Sequence, residues 1–321
     1  MRLVQDISEL PTECRGAVVA IGNFDGVHLG HRAVLAQAAD IARTKGCPLG
    51  ALVFEPHPRE FFQPEAPRFR LTPLREKARL LAAVGIDLLY VERFDAELAT
   101  RPAQDFVTRI LVKGLGVTHI VVGYDFRFGK NREGDVSFLV REGEKAGFGV
   151  SITSAVNASS SGEAYSSSLI REHLRDGRPR RAAELLGRWW CIEGPVLSGD
   201  QRGRTIAFPT ANIRLNECLE PKHGVYAVRA EILEGADAGT YDGVANLGLR
   251  PTFDKQDVML EVNLFGFSGD LYGRQLRISF VEFIRAERKF DGIESLKAQI
   301  EADSITAGEL LRQPEYSANL F

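Results

Sequence analysis

Along the first half of the chain, short apolar runs alternate with segments whose apolar residues recur at helical spacing. Runs of strand length occupy 17–21, 49–54, 87–91, 119–122 and 149–153, and the helical pattern occupies 32–44, 73–84, 103–115, 136–146 and 168–175. Near-continuous apolar strands separated by helices predict a parallel sheet covered on both faces. After about residue 186 the texture changes. Strand-like segments at 189–197, 205–212, 224–233, 240–247, 259–265 and 275–284 follow one another with Gly, Pro, Asp or Asn between them and no helix-length insertion. That spacing predicts a small antiparallel β-barrel. The tail turns helical, with one helix expected from 291 to about 302 and a second at 307–311. The Arg-rich stretch 171–188 reads as a solvated helix and linker. The expected fold class is α/β: a Rossmann-like parallel sheet in 1–185, then an antiparallel barrel with C-terminal helices in 186–321.

Composition narrows the class without naming a chemistry. A length of 321 residues exceeds one ordinary core and agrees with two domains. Forty basic against 43 acidic residues give a formal charge of −3, which argues against a general nucleic-acid binder. The N-terminus has no apolar core of a secretory signal, and no apolar run approaches the roughly 18–20 residues of a membrane span. Cys14, Cys47, Cys191 and Cys218 are scattered singly, with neither a disulfide framework nor zinc-ligand spacing. The expectation is a cytoplasmic enzyme with no membrane and no nucleic-acid partner, either a monomer or a weak homo-oligomer.

The decapeptide Gly22–His31 carries the most chemistry. It follows the first apolar run and precedes a helical pattern, so backbone N–H groups and the positive end of a helix dipole stand where a phosphate could sit. His28 and His31 flank Leu29-Gly30 at that mouth, and Gly30 lacks the side chain that would block close approach. The stretch is neither a Walker A loop nor a dinucleotide GxGxxG; it reads as the HxGH element of nucleotidyltransferases. A helix cap with a satisfied histidine, or half a metal site, is the bland alternative. Phe54-Glu55-Pro56-His57-Pro58 ends the second strand, and Gly123-Tyr124-Asp125-Phe126-Arg127-Phe128-Gly129 ends another with three aromatic residues between glycines. Ser166-Ser167-Ser168-Leu169-Ile170-Arg171 opens a helix with hydroxyls at the cap and an arginine whose fork matches phosphate oxygens.

In the second half, Gly203-Arg204-Thr205-Ile206-Ala207-Phe208-Pro209-Thr210-Ala211-Asn212 sets a Thr and an Asn two apart, on one face of a strand. Both offer oxygens to a hard cation or a phosphate, although such a pair also stabilises turns. Glu261 stands within the mostly apolar run 259–265, either facing solvent by alternation or kept for chemistry.

The chain resembles the prokaryotic bifunctional riboflavin kinase/FAD synthetase family over essentially its whole length. Gly22–His31 matches the family's GxFDGxHxGH turn, Tyr124–Gly129 its DFxFG-type loop, and Ser166–Arg171 its SS[ST]xIR segment. Thr210 and Asn212 fall on the PTAN motif, residues 246–252 on the NxGxRPT segment, and Glu261 on the catalytic glutamate. The resemblance implies that the first half transfers AMP from ATP to FMN, giving FAD and pyrophosphate. It implies that the second half phosphorylates riboflavin to FMN, with ATP as co-substrate and Mg²⁺ as cofactor. His28 and His31 would face the transferring phosphates, and Arg171, Ser167 and Ser168 the triphosphate. Gly22, Phe24 and Gly30 would complete the first ATP site, with Phe54, His57, Asp125, Phe126 and Phe128 near its flavin. Gly203, Thr210 and Asn212 would hold ATP and Mg²⁺ in the kinase, Glu261 would act as base, and Asn246, Arg250 and Arg285 would line riboflavin.

The sequence departs from the family pattern at Ala207, where Gly is usual, at Asn263 and Gly266, where His and Asp are common, and at Ser168, where Thr is frequent. Competing readings are a monofunctional FMN adenylyltransferase with a non-catalytic flavin-binding barrel, and a flavin-sensing regulator. Intact Thr210, Asn212 and Glu261 weigh against the first; two intact sets of catalytic groups and no helix-turn-helix pattern weigh against the second.

Overall fold

The computed structural model describes residues 1–5, 7, 10–155, 163–197, 208–251 and 256–317. Six parallel strands form the first sheet: β1 (Arg2–Val4), β2 (Val18–Ile21), β3 (Leu49–Glu55), β4 (Leu88–Arg93), β5 (His119–Gly123) and β6 (Gly149–Thr153), in the order β1-β4-β3-β2-β5-β6. The alternation of β2 shows why its residues are all apolar. Val18 and Ala20 pack in one cluster with Leu35 and Ala38 of helix α1 (Leu29–Lys45), while Val19 and Ile21 pack in another with Phe106, Ile110 and Leu111. Each face is covered by helices, so neither set of side chains meets water. The helix expected at 103–115 forms, but its residues Phe106–Leu115 wind as the wider π-type turn. The strand β1 had no periodicity long enough to announce it.

Strand order reverses between β2 and β5: the chain moves outward through β3 and β4 on one side, then returns to place β5 and β6 on the other. Ligands of open α/β sheets bind beyond the carboxyl ends of strands at such a switch point. The turn after β2, residues 22–28, opens there.

The second sheet is antiparallel, with β7 (Trp190–Pro195), β8 (Ala211–Arg214), β9 (Gly224–Ile232), β10 (Gly239–Pro251), β11 (Gln256–Leu264) and β12 (Gln275–Arg285) in the order β7-β12-β9-β10-β11-β8. Its two edges meet where the Leu197 N–H donates to the Asn212 carbonyl at 2.9 Å, which closes the expected barrel. Trp190, Ile213, Tyr226, Val228, Leu247, Leu260 and Phe280 are buried on the faces turned inward. The opposite face, with Val225, Ala227, Val244 and Val281, packs against Ala183, Trp189, Ala307, Leu311 and Tyr316.

Two expectations require correction. The tail is one helix, Ile293–Leu311, rather than two. The stretch near 303–306 stays helical because Ala307 and Leu311, just beyond it, are buried against the barrel, while Ser304 and Thr306 satisfy their hydroxyls on the carbonyls of Ile300 and Ala302. The stretch 171–188 is not a solvated linker: in the helices Ser167–Arg175 and Pro179–Leu186, the residues Ile170, Leu174, Ala182, Ala183, Leu185 and Leu186 are buried.

The chain divides into two compact units. One holds residues 1–67 and 73–165; the other holds 68–72 and 166–321. The five-residue strap 68–72 is therefore part of the second unit. There the carbonyls of Phe69, Arg70 and Leu71 accept hydrogen bonds from Arg171 Nε at 2.7 Å, the Leu219 N–H at 2.7 Å and Trp190 Nε1 at 2.9 Å.

Candidate active sites

In the first unit the chain leaves β2 through a turn that only unusual backbone angles can make. Phe24 and Val27 adopt φ of +47° and +42°, and Gly26 adopts +89°. Left-handed Phe and β-branched Val cost energy, and such strain collects at functional turns. His28 ends the turn as the cap of α1, its Nδ1 accepting from the His31 N–H at 3.2 Å. An accepting Nδ1 leaves the ring proton on Nε2, at the opposite corner of the imidazole. The two imidazoles stack with centroids 3.6 Å apart and planes within 19°. The Phe24 ring meets His31 edge-on at 5.3 Å and is itself only 1% exposed, so it is a support beneath the histidine. A Cβ on Gly30 would stand 3.0 Å from Tyr165 Cβ and 3.1 Å from His28 Cε1, and one on Gly22 would crowd the Phe24 ring at 3.3 Å. The two glycines thus set the stacking distance as well as the approach.

The remaining first-unit residues stand at the same edge of the sheet, after the strands that flank β2. His57 caps the short helix Pro58–Phe62, its Nδ1 accepting from the Arg59 N–H at 3.1 Å, and Phe54 packs on Phe94 and Phe106. Beneath them Lys77 Nζ meets Glu55 Oε1 at 3.0 Å in a buried ion pair. After β5, Asp125 is exposed, Phe126 is half-buried and stacks on Phe128 at 5.5 Å, and Phe128 is buried against Phe106 and Phe138. Ser167, Ser168 and Arg171 belong to the second unit. The Ser166 hydroxyl caps their helix, and the Arg171 guanidinium lies over the Phe69 ring at 5.0 Å.

In the second unit the strand register assembles one row of residues across five strands. Asn212 on β8 stands opposite Glu261 on β11, Glu261 opposite Asn246 on β10, Asn246 opposite Val225 on β9, and Val225 opposite Arg285 on β12. Residues directly opposed in antiparallel strands share a face, with Cα atoms about 4.5–5.5 Å apart. Glu261 is therefore a half-buried carboxylate between two amides. Asn212 is 6% exposed, and its Oδ1 is buried with no hydrogen-bond partner among the described residues. An orphaned amide oxygen beside the half-buried Thr210 is the donor chemistry that a hard divalent cation takes. Asn246 Nδ2 reaches Glu287 Oε1 at 3.4 Å, and Gly248 leaves the space that Glu287 fills. Arg285 is clamped by Asp303 through Nε at 2.9 Å and Nη2 at 2.6 Å. Arg250 takes a register position on β10 opposite Asp257. Gly203 and Ala207 lie outside the described residues.

Comparison with known proteins shows the family of the chain. The chain is 43% identical over 309 residues to the bifunctional riboflavin kinase/FMN adenylyltransferase of Escherichia coli K12, covering 96% of each chain. It is 41% identical to the protein of the same description from Pseudomonas fluorescens, covering 98% of this chain and 99% of that one. The chain belongs to this bifunctional family. Within it, the FAD synthetase model matches residues 10–169 and the riboflavin kinase model residues 186–311. A solved structure described as a macrolide-efflux protein from Streptococcus pneumoniae superposes with a TM-score of 0.83 at 30% identity, covering 94% of this chain and 96% of that one. The efflux description is that protein's; among the described residues here no helix is long and apolar enough to cross a membrane.

In this chain, sequence reasoning missed the residues that act on the named ones. Tyr165 bounds Gly30, Glu287 holds Asn246, and Asp303 holds Arg285. Asp303, a carboxylate in an otherwise weak helical stretch, left a trace in the sequence; Tyr165 and Glu287 left none.

Proposed function

We infer that this chain makes FMN from riboflavin and FAD from FMN, using one ATP in each step, with separate sites for the two reactions. The reading is carried by two separate observations, the row Asn212–Glu261–Asn246 in one unit and the stacked His28 and His31 at the sheet switch point of the other. We assign the adenylyltransferase to 1–185 and the kinase to 186–321.

In the kinase, Glu261 takes the proton of the ribityl 5′-hydroxyl as the oxygen attacks the γ-phosphorus of ATP. The new bond is O5′–Pγ, the bond broken joins Pγ to the bridging oxygen, and ADP leaves. Thr210 and Asn212 are the residues that would hold Mg²⁺, which when bound neutralises charge on the ATP phosphates. Asn246 and Arg285 would line riboflavin; Arg250 and Gly203 are assigned to riboflavin and the nucleotide on their motifs alone.

In the adenylyltransferase an FMN phosphate oxygen attacks the α-phosphorus in line and pyrophosphate leaves, with no nucleophilic side chain. His28 and His31 hold the charge that grows on the α-phosphoryl oxygens, where one well-aimed donor contributes about 2.7–4 kcal/mol. Holding two polyanions in line can supply up to about 7–11 kcal/mol more. Ser167, Ser168 and Arg171 are assigned to the triphosphate on their motif. Asp125, Phe126 and His57 are the flavin-side candidates of that sheet edge. Free Cys14, Cys47, Cys191 and Cys218 fit a reducing cytoplasm.

The test is to incubate the protein with riboflavin, ATP and Mg²⁺ and separate the flavins over time. Glu261→Gln should lower FMN formation about 10²–10⁴-fold, the usual contribution of a general base, and leave FMN-to-FAD conversion intact. His31→Ala should do the reverse. Loss of both activities in either variant would refute separate sites.

A further inference from the structure

The pairing of β8 with β11 stops one step short of Thr210. Its last opposed residues are Ala211 and Val262, after Asn212 with Glu261. The next position on β11 is Asn263, the residue that continued register would set across from Thr210. The preceding Pro209 has no N–H, so the ladder has no backbone donor with which to go on. The side chain of Asn263 makes the connection instead: its Nδ2 donates to the Pro209 carbonyl at 2.8 Å. That carbonyl belongs to the peptide unit whose nitrogen is Thr210's own. Asn263 is itself held from the other side, because β10 approaches so closely that a Cβ on Gly243 would stand 2.5 Å from the Asn263 carbonyl oxygen. Its backbone has little freedom to follow a wandering Pro209.

Resting on the kinase reading above, we propose that Asn263 is a positioning residue that fixes the Thr210 edge of the cation and phosphate site against Glu261. Asn263 and Glu261 are two apart on one strand and share a face. The amide therefore ties the carrier of Thr210 to the strand that carries the base. A cation held jointly by Thr210 and the buried Asn212 needs both oxygens at fixed spacing. Asn212 lies inside the ladder and is placed by it, whereas Thr210 lies outside and is placed by Asn263. A side-chain hydrogen bond in the role of the missing rung makes the geometry of this edge depend on one neutral donor.

The test uses the full-length protein and two variants. Asn263→Leu keeps approximate size and removes the donor; Asn263→His restores a ring N–H. Calorimetric titration with MgADP, and with ADP in the presence of a chelator, is compared with steady-state FMN formation. The expected result is that Asn263→Leu weakens MgADP binding about fivefold, the loss of one net hydrogen bond, and lowers kcat for FMN formation by a similar or larger factor. Binding of metal-free ADP and the conversion of FMN to FAD should not change. Asn263→His should recover most of the MgADP affinity. Wild-type MgADP binding by Asn263→Leu would overturn the proposal, and so would an equal loss with and without magnesium. If Asn263→Leu lowers the melting temperature, recovery in Asn263→His decides for the hydrogen bond and failure to recover decides against it. The underlying reading fails separately, if Glu261→Gln still phosphorylates riboflavin at the wild-type rate.

Discussion

Gly30 shows how a single missing atom sets the chemistry of a site. Its hydrogen faces Tyr165 Cβ and the His28 ring, at distances where a methyl group would force one of them to move. Tyr165 Cβ is anchored to backbone, so the imidazole is the part that yields. Gly30→Ala should therefore open the 3.6 Å stack of His28 on His31 and lower FAD formation about 10²-fold, the usual cost of misplacing a catalytic group by about 1 Å. Riboflavin phosphorylation should be unchanged, and the two rates measured on one preparation check this. At this scale the sequence is a good guide to groups that do chemistry and a poor guide to groups that hold them. Glu261 is visible as a carboxylate in an apolar run. Asn263 is visible only as an odd residue, since the carbonyl it bonds lies far away in sequence, on the segment that leads into β8.

At the scale of elements, periodicity locates the central strands of the first sheet because β2 and the first residues of β3 and β4 are buried on both faces, so the apolar pattern there is unbroken. β6 runs from Gly149 to Thr153 as the apolar run does, and β2, β3 and β5 depart by one residue. The C-terminal helix was less legible because its middle holds poor helix formers and the tertiary burial of Ala307 and Leu311 that keeps it whole leaves no local pattern. The row linking Asn212 to Arg285 was not legible at all, since register across five strands depends on bulges in β12 that no local pattern reports. One element also titrates. At the start of β5, burial and secondarily Lys45 hold His119 below the usual histidine range, while its Nε2 meets Ser151 Oγ at 2.9 Å. The unfolded chain binds that proton more readily, so this contribution is complete above about pH 6.5 and is lost as pH falls through the lower folded value. His119→Gln should flatten the difference in urea midpoint between pH 7.5 and 5.5; an unchanged difference would assign the acid sensitivity elsewhere.

For the whole molecule, the strap 68–72 breaks the correspondence between chain order and compact units. Cut from the chain at 166, the second unit would keep Trp190 Nε1, Arg171 Nε and the Leu219 N–H but lose the three carbonyls that accept from them. Each loss leaves a buried or half-buried donor without its acceptor, at about 1–3 kcal/mol apiece. A fragment of residues 166–321 should melt well below the intact chain, and a synthetic peptide of residues 66–74 should raise its melting temperature in a concentration-dependent way. Absence of any peptide effect would show that the strap is dispensable. The arrangement also constrains inheritance. Exchange of genetic material moves contiguous coding stretches, so a second half transplanted into another gene arrives without a piece encoded well upstream, inside its neighbour. Two activities joined in this way are harder to trade apart than two joined end to end by a tether.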